Sequence, residues 1–538
     1  MTSSRAVTVA VFVVVFISFA LRAYPYVSSG VPYHTDTYPQ LANVRNLVAN
    51  SPVPLSPGNG FDSYNILWPA DTLFYAVSSV LLGGVPIAVM PLLGPLAAST
   101  AALLFYALLR SFDIEWRASL VGTLLFAVAG GTVMISTGVT KEAFAIPLLF
   151  LTVLLMNGWL RRGSRAGLAL SVGAFGALLA AHSLGSVVGL LLCSYLAFAY
   201  IVSPGRPGRR VAVTVGVLAL FSAMSYLYFY VYAVSSLPYD LQPSDLVAVF
   251  GYEALLTAPV WLSAAFRLGL RRWTGAWIGA IALAVGVLFA SAVAYHPLLD
   301  SPVASPYVLA LLVPYVAVAF LAAFGISRAK QGASLTGPVF AAVWTLGMLG
   351  IVAFSAFGTP GAVGTTLRIF DFVYPGVAVL GGLALSGVMA SGKLGGGVGA
   401  LALGALVVAS AFVVPYSAYW SGPLGGSQRV YTQAEVAALS WTGSAPANAS
   451  VYADARYVYL ASYYTGRAID LGGGYLFLAG ISNFTGGCLI LDGLVAQIGY
   501  VGGTYGLPVN MTLVRGLPAW PSLGTVYSDG SVTTFCRP

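Results

Sequence analysis

Charge is the scarcest property of this 538-residue sequence. Asp, Glu, Lys and Arg together make up 7% of the residues, whereas an ordinary soluble domain has about 25%. Hydrophobic residues make up 58%, and apolar runs of about 20 residues, each long enough to cross the hydrocarbon core of a bilayer, recur through the first part of the chain. The composition excludes a soluble globular protein and predicts an α-helical polytopic membrane protein.

Acidic residues are scarcer than basic ones, 16 against 24, and the net charge is +8. On a membrane protein this excess is expected in the inner loops, so it does not indicate a nucleic-acid partner, and we expect none. With the N-terminus inside, 15 basic residues fall in inner loops together with only two acids, Asp113 and Glu115. The charge bias therefore predicts an N-in, C-out orientation.

The apolar runs predict about thirteen spans. Their limits are 6–24, 86–109, 118–138, 143–160, 166–181, 187–202, 211–234, 254–266, 274–294, 305–325, 336–356, 372–390 and 394–415. Segment 66–83 is also apolar, but Trp68-Pro69 at its start and Gly83-Gly84 at its end predict a half-inserted hairpin. Counting it as a crossing would place the later Arg clusters outside. The bulky residues after Leu21 do not form a cleavage site, so we expect a retained first helix rather than a signal peptide.

The composition changes at about Tyr416, where apolar runs shorten and turn residues multiply. We therefore divide the chain into a transmembrane domain, 1–415, with a first outer loop at about 25–85, and a C-terminal extracytoplasmic α/β domain, 416–538. Alternating residues predict strands at 448–453 and 487–491 and a hairpin at 525–535. Short helices are predicted at 432–441 and 455–464.

The C-terminal domain carries the marks of an outer compartment. Its three Asn residues all stand in glycosylation sequons, which are Asn448-Ala-Ser, Asn483-Phe-Thr and Asn510-Met-Thr. Two of the three Cys residues, Cys488 and Cys536, also lie here, whereas Cys193 lies within a span. An oxidising compartment permits a Cys488–Cys536 disulfide, with two free thiols as the alternative. These features favour a glycosylated extracellular domain, for which an archaeal cell envelope is one setting.

Few polar groups are available for chemistry at the predicted outer face. In chain order they are His34, Asp36, Asp62, Asp71, Lys141, Glu142, His182, Asp240, Asp245, Glu253, His296, Asp300, Arg368 and Asp371. A site for a lipid-phosphate sugar donor needs carboxylates that bind a divalent cation or accept a proton and a cation directed at the leaving phosphate. Asp36, Glu142 and Arg368 supply these groups, and Asp36 is the strongest candidate because it stands beside His34 just past a span.

Each of the other candidates has a structural alternative. Asp62 and Asp71 are expected to be solvated loop acids, or Asp71 to cap a helix. Glu142 could pair with Lys141, and Arg368 could pair with Asp371 three residues later. His182 is expected as a hydrogen-bonded histidine of the helix bundle, and His296 at the end of a loop.

The outer-loop motifs resemble those of GT-C glycosyltransferases, especially the archaeal type of the oligosaccharyltransferase catalytic subunit. The residues that carry this resemblance are Leu21-Arg22, His34-Thr35-Asp36-Thr37-Tyr38, Phe61-Asp62-Ser63-Tyr64-Asn65-Ile66-Leu67-Trp68-Pro69 and Thr137-Gly138-Val139-Thr140-Lys141-Glu142-Ala143. Tail segments Val451–Tyr457 and Tyr464–Arg467 are similar as well. The resemblance spans most of the chain and depends on the order and topology of the motifs.

The resemblance implies a role for each of these residues. Asp36 would be a metal ligand that also engages the acceptor, Glu142 a second ligand, with His182 as a third candidate, and Arg368 would bind the donor phosphate. The implied cofactor is Mg²⁺ or Mn²⁺. Two positions depart from the family pattern, since Thr140 stands where the second motif has Asp and Lys141 where it has Asn. Lys141 is therefore a candidate to contact the phosphate as a point charge.

The resulting prediction is a glycosyltransferase of the plasma membrane that moves a sugar or oligosaccharide from a polyprenyl-phosphate lipid donor to a protein or glycan acceptor. The tail lacks the Trp-Trp-Asp-Tyr-Gly block with which oligosaccharyltransferases recognise a sequon. One alternative is a non-catalytic scaffold subunit derived from a GT-C enzyme. A lipid or solute transporter is the other, although such proteins place ionisable groups at mid-bilayer and here these cluster at the outer ends of spans.

Overall fold

A computed structural model describes residues 4–50, 67–202, 207–233, 243–265, 306–327, 337–357, 363–419, 430–443, 449–484, 486–498, 500–501, 507–520 and 523–537, together with the single residues 275 and 446. The described chain is mostly helical, with a small sheet near its C-terminus. Seven of the described helices are long and apolar enough to cross a membrane, and several shorter ones are also apolar. The fold is therefore that of a multi-pass helical membrane protein.

Fifteen helices form the N-terminal part of the described chain. They are α1 (Ser4–Ser29), α2 (Thr37–Asn50), α3 (Ala70–Leu82), α4 (Pro86–Ser111), α5 (Trp116–Ala127), α6 (Gly130–Ile135), α7 (Lys141–Arg162), α8 (Arg165–Ala181), α9 (Ser183–Val202), α10 (Gly208–Tyr226), α11 (Pro243–Ala265), α12 (Pro306–Ser327), α13 (Gly337–Phe357), α14 (Val363–Met389) and α15 (Lys393–Tyr419). A π-helical turn, Leu227–Tyr232, extends α10. Every predicted span except the third and the ninth falls on one of these helices, and the ninth, 274–294, lies outside the described residues apart from residue 275.

The prediction of a half-inserted hairpin within 66–83 was wrong. The described part of this segment is one helix, α3, which packs antiparallel against α4. The two helices are joined at Gly83, whose φ of 63° is left-handed, and Tyr75 of α3 lies beside Gly94 of α4. The Gly pair that suggested the end of a hairpin is therefore the turn between α3 and the second predicted span.

The single span predicted at 118–138 was also wrong, because the helix breaks at Val128-Ala129 into α5 and α6. Gly130, the first residue of α6, packs against α15 so closely that a Cβ there would stand 2.5 Å from a methyl carbon of Val413. This contact needs a residue without a side chain, and hydropathy alone does not reveal it. The break turns the short helix α6 toward the outer loops.

Two later helices begin about ten residues before their predicted spans. Glu253 was expected at the outer end of the span 254–266, but α11 begins at Pro243, so Glu253 lies near its middle and is buried. Likewise, Arg368 and Asp371 were placed before the twelfth span, whereas both belong to the first turns of α14. The predictions failed because charged residues lower the hydropathy of a helix end without ending the helix.

The C-terminal part of the described chain contains a small sheet with short helices, as the sequence predicted. Its described elements are α16 (Gln433–Gly443), β1 (Val451–Tyr452), α17 (Val458–Thr465), α18 (Leu471–Leu478), β2 (Cys488–Asp492), α19 (Gly493–Ile498), β3 (Tyr500–Val501), β4 (Leu507–Pro508), α20 (Met511–Gly516), β5 (Gly524–Ser528) and β6 (Val532–Cys536). The main sheet has the order β1-β2-β6-β5, in which only the β1–β2 pair is parallel. The predicted hairpin is β5–β6.

The disulfide between Cys488 and Cys536 is formed, and it joins residues that are direct partners across β2 and β6. Cys193 is a buried free thiol on α9. Asn483 and Asn510 are both exposed, and the side chain of Asn510 accepts hydrogen bonds from the backbone N–H groups of Thr512 and Leu513 at the start of α20. Asn448 lies outside the described residues. Glycosylation at these sequons stays a prediction.

A buried ionic cluster lies on the side of the C-terminal domain that contacts the first outer loop. Arg456 pairs with Glu435 of α16 and with Asp492 at the end of β2, and all three side chains are almost fully buried. The guanidinium also lies over the rings of Tyr431 and Tyr457 at about 5 Å. Because a buried charge is costly unless it is paired, this cluster fixes the position of Tyr431.

Candidate active site

The outer end of α1 is fixed to the short helix α6 by Arg22. This side chain is 1% exposed, and it donates hydrogen bonds to Ser136 Oγ at 2.9 Å and to Ser18 Oγ at 2.6 Å. The Leu21-Arg22 pair that the sequence singled out is therefore structural. It sets the position from which the first outer loop begins.

The loop after α1 presents Asp36 at its surface. His34 has φ 72°, a left-handed conformation that costs free energy for a residue with a side chain. Its Nδ1 lies 3.6 Å from a carboxylate oxygen of Asp36 and accepts the Asp36 backbone N–H at 3.2 Å. The Asp36 side chain is 53% exposed. The strained backbone and the open carboxylate together are typical of a functional loop.

The second motif packs directly against this first loop. The backbone N–H of Val139 donates to Thr37 Oγ1 at 3.2 Å, and Thr37 Oγ1 donates in turn to the carbonyl of Tyr33 at 2.5 Å. Gly138 has φ 80°, and a Cβ there would stand 2.8 Å from the Tyr33 carbonyl oxygen. The structure therefore brings the loop that carries Asp36 together with the loop that precedes Glu142.

Thr140 has a structural role at the position where the family pattern has Asp. Its Oγ1 accepts the backbone N–H of Ala143 at 3.3 Å and so caps the N-terminus of α7. Lys141 and Glu142 follow in the first turn and are both buried, at 7% and 9% exposure. The carboxylate of Glu142 lies 3.3 Å from His182 Nε2, while His182 Nδ1 accepts the N–H of Gly185. His182 is thus both the expected hydrogen-bonded histidine and a neighbour of Glu142.

Asp71 is a site residue that sequence reasoning undervalued. It was expected to be a solvated acid or a helix cap, but it is 0% exposed in the first turn of α3. One of its oxygens accepts the backbone N–H of Thr72 at 2.8 Å. Burial raises the pKa of Asp71 to about 6, even though the neighbouring charge of Lys141 acts to lower it. Asp71 therefore belongs to the same charge cluster as Lys141.

The start of α14 reaches the site through Asp371, whose Oδ1 accepts a hydrogen bond from Thr132 of α6 at 3.2 Å. The same turn of α6 contacts Tyr315 of α12 through the backbone N–H of Gly131. Arg368 stands one helical turn before Asp371 on α14. Asp371 therefore holds this turn of α14 against α6. Arg22 in turn fixes α6 to the end of α1, from which the first loop begins.

The C-terminal domain covers the first outer loop. Thr35 Oγ1 and the hydroxyl of Tyr431 are 2.6 Å apart, and Gln433 donates to the carbonyl of Gly30 at 3.2 Å. Tyr38 is fully buried against a cluster of tyrosine rings from the domain, with ring centroids 5.5–6.1 Å away. Asp36 therefore lies at the junction between the two domains.

The fit of a divalent cation can be tested against these donors. Within the described residues, no three His, Cys, Asp or Glu side chains come together as metal ligands. Asp36 contacts His34 and Glu142 contacts His182, and the positively charged Lys141 is the neighbour of Glu142 in the chain. The described donors do not by themselves form a site for Mg²⁺ or Mn²⁺, which prefer oxygen ligands.

Of the remaining candidates, Glu253 alone has a side chain that the structure describes. Asp62, Asp240, His296 and Asp300 lie outside the described residues, and Asp245 stands in the first turn of α11. Glu253 is buried between helices, where one carboxylate oxygen accepts a hydrogen bond from Tyr195 of α9 and the other has no partner among the described residues.

No protein-family model matches the chain, and no curated protein matches it with significant sequence similarity. Several solved structures, in contrast, are similar to the chain in fold. The archaeal oligosaccharyltransferase AglB from Archaeoglobus fulgidus, in complex with an inhibitory peptide and a dolichol-phosphate, superposes with a TM-score of 0.56 at 13% identity over 99% of this chain and 74% of that one. The same enzyme tethered to an acceptor peptide gives 0.56 at 12% identity over 100% and 74%.

ArnT from Cupriavidus metallidurans bound to undecaprenyl phosphate is less similar, with a TM-score of 0.38 at 13% identity over 98% of this chain and 97% of that one. The identities are too low to transfer an activity, and the likeness to AglB concerns the fold. The chain has the fold of the GT-C membrane glycosyltransferases.

Proposed function

We propose that this protein is a membrane glycosyltransferase that takes a sugar or oligosaccharide from a polyprenyl-phosphate lipid and passes it to a protein or glycan acceptor at the outer face of the plasma membrane. The hydrogen bond from Val139 to Thr37 is the observation that carries the proposal, because it joins the Asp36 loop to the start of α7. The thirteen-span, N-in, C-out arrangement is part of the proposal, with the C-terminal domain extracellular. The dolichol-phosphate bound to the similar AglB structure supports a lipid donor.

The proposed reaction is a displacement at the anomeric carbon of the donor sugar. A nucleophilic atom of the acceptor forms a bond to that carbon, the bond from the carbon to the phosphate oxygen breaks, and polyprenyl phosphate leaves. Asp36, exposed beneath the C-terminal domain, accepts the proton of the acceptor. Lys141 and Arg368 stabilise the charge on the departing phosphate, and Glu142, held by His182, keeps the first turn of α7 in place.

Lys141 supplies positive charge without a metal ion in this proposal. It follows Thr140, which caps α7, and it stands at a helix N-terminus, where the backbone also favours an anion. We expect transfer by the wild-type protein to survive EDTA and to fall about a hundredfold in Lys141→Met. Loss of transfer in EDTA with recovery on addition of Mg²⁺ or Mn²⁺ would assign the phosphate charge to a metal held by Asp36 and Glu142, and would contradict the role of Lys141.

A second candidate function is a non-catalytic scaffold that retains the GT-C fold. It is favoured by Thr140, which serves as a helix cap where the family pattern has a carboxylate. A scaffold would keep the contacts between the first loop and the C-terminal domain but would not consume a donor. The two candidates therefore differ in turnover.

The test is a transfer assay with the full chain in proteoliposomes. The vesicles receive polyprenyl phosphate carrying radiolabelled glucose, mannose or galactose, together with peptide and glycan acceptors. We expect label to move from the lipid fraction to an acceptor with the wild-type protein and at least about a hundredfold more slowly with Asp36→Asn. Label that stays in the lipid fraction with both proteins would favour the scaffold.

A further inference from the structure

Two buried polar atoms near Lys141 have no hydrogen-bond partner among the residues that the structure describes. They are the indole nitrogen Nε1 of Trp68 and the second carboxylate oxygen, Oδ2, of Asp71, and both residues are 0% exposed. A buried donor or acceptor left without a partner is costly, and native proteins keep few of them. Two such atoms at the start of α3 indicate a place where a ligand supplies the missing hydrogen bonds.

Lys141 connects these two atoms to the proposed donor site. Its ammonium lies 5.8 Å from the centroid of the Trp68 ring, and its charge acts on the carboxylate of Asp71. The Trp68 ring is itself held against Tyr228 and Phe229, with centroids 5.3 and 5.9 Å away. A hydrogen-bond donor, an acceptor and a cation thus stand together on fixed elements.

The chemistry of the three groups defines the ligand. An ammonium attracts a phosphate, whereas a carboxylate oxygen repels it and accepts a hydrogen bond from a hydroxyl group. An indole N–H donates to the oxygen of such a hydroxyl. A phosphate with a hydroxyl-bearing ring next to it satisfies all three groups, and a bare phosphate satisfies only one.

Access from the bilayer is provided by the opposite face of α3. Its side chains Leu73, Val77 and Val80 are 40%, 57% and 64% exposed, and their spacing places them on one apolar stripe. A polyprenyl chain lying along this stripe would bring its phosphate around the N-terminal end of α3, where Asp71 stands in the first turn. The ligand chemistry and the route both indicate a lipid-linked sugar.

We propose that Trp68 and Asp71 form a sugar subsite, which binds a hydroxyl group of the lipid-linked hexose while Lys141 holds its phosphate. The subsite rests on the proposed function and adds to it the recognition of the sugar itself. Trp68 donates to the hydroxyl oxygen, and Asp71 accepts the hydroxyl proton. A site built to hydrogen-bond a hydroxyl discriminates strongly against a ligand that lacks it.

The test compares the binding of two lipids to the full chain in nanodiscs. One is polyprenyl phosphate, and the other is polyprenyl phosphate carrying glucose, mannose or galactose. We expect the wild-type protein to bind at least one of the sugar-bearing lipids about tenfold more tightly than the bare lipid. Asp71→Asn keeps the shape of its side chain, Trp68→Phe keeps an aromatic ring but removes the N–H, and both should abolish this tenfold preference.

Asp71→Asn also separates a binding role from a structural one. Removal of a negative charge beside Lys141 should strengthen the binding of bare polyprenyl phosphate while it weakens that of the sugar-bearing lipid. A variant that merely loosens the fold would weaken both. Ser79→Ala is the matched control, because Ser79 Oγ is also buried without a partner on α3 but lies eight residues away, about 12 Å along the helix.

The outcomes distinguish the subsite from the proposed function. Tight binding of the bare lipid with no preference for any hexose, or a preference that survives both substitutions, would overturn the subsite and leave the donor site intact. Parallel losses for the two lipids in Asp71→Asn would also overturn it. If the wild-type protein binds neither lipid, the proposed function itself fails.

Discussion

The hydroxyl groups of Thr35 and Tyr431 are 2.6 Å apart and join the first outer loop to the C-terminal domain. Tyr431 has a single hydroxyl proton, which it donates to the backbone carbonyl of Arg456 at 2.6 Å. Thr35 is therefore the donor in the bond between the two domains. Because Asp36 is the next residue, the position of its carboxylate depends on a group that the buried cluster around Arg456 holds in place.

Loss of the Tyr431 hydroxyl should reduce transfer. We expect Tyr431→Phe to lower the rate about five- to tenfold, which corresponds to one hydrogen bond of roughly 1 kcal/mol. The double variant Thr35→Val/Tyr431→Phe should be no slower than the slower single variant, since both remove the same interaction. Additive losses in the transfer assay would show that the two hydroxyl groups act separately. Tyr527→Phe, in strand β5, is the control.

Arg456 should be the most sensitive residue of the C-terminal domain. Arg456→Met leaves the buried carboxylates of Glu435 and Asp492 without their cation, and breaking such a pair costs about 3–5 kcal/mol. We expect a large loss of thermal stability that the additional changes Glu435→Gln and Asp492→Asn partly restore. Arg515→Met, at an exposed position of α20, should have the same melting temperature as the wild type. Equal melting temperatures for both Arg variants would contradict the cluster's role.

The disulfide should stabilise the C-terminal domain. Cys488 and Cys536 are separated by 48 residues, and removing a cross-link of this length costs about 2–4 kcal/mol. We expect reductant to lower the melting temperature of the wild type and to leave that of Cys488→Ser/Cys536→Ser unchanged. Thiol labelling of the unfolded chain should detect one thiol, that of Cys193, before reduction and three after it. Three reactive thiols without reductant would contradict the bond.

Gly347 should tolerate no side chain. A Cβ there would collide with the hydroxyl of Tyr195 and stand 2.8 Å from a carboxylate oxygen of Glu253. Gly347→Ala should therefore destabilise the helix bundle by about 1–3 kcal/mol. Gly251→Ala is the matched control, because Gly251 lies on α11 with nothing within 4 Å of an added Cβ. Similar melting temperatures for the two variants in detergent would contradict the close packing around Glu253.

Much of this architecture could be predicted from hydropathy and from local turn and strand patterns. The helices at the predicted spans and the β5–β6 hairpin follow from such patterns, and the Cys488–Cys536 pair was one of two alternatives left open. The early start of α11 was missed because charged residues lower the hydropathy there, and the break at Val128-Ala129 could not be predicted because it depends on a contact with a distant helix. Asp71 was underestimated for the same reason, since its burial next to Lys141 arises only when α3 packs against the start of α7.

Transfer by Asp36→Asn is the measurement that tests the central claim most directly. The amide keeps the size of the side chain but cannot accept the acceptor's proton, so we expect the rate to fall at least about a hundredfold while the binding of polyprenyl phosphate is retained. Asp113→Asn, on the exposed turn between α4 and α5, should transfer sugar at the wild-type rate. A rate for Asp36→Asn within about twofold of the wild type would contradict the assignment of the first outer loop as the catalytic centre.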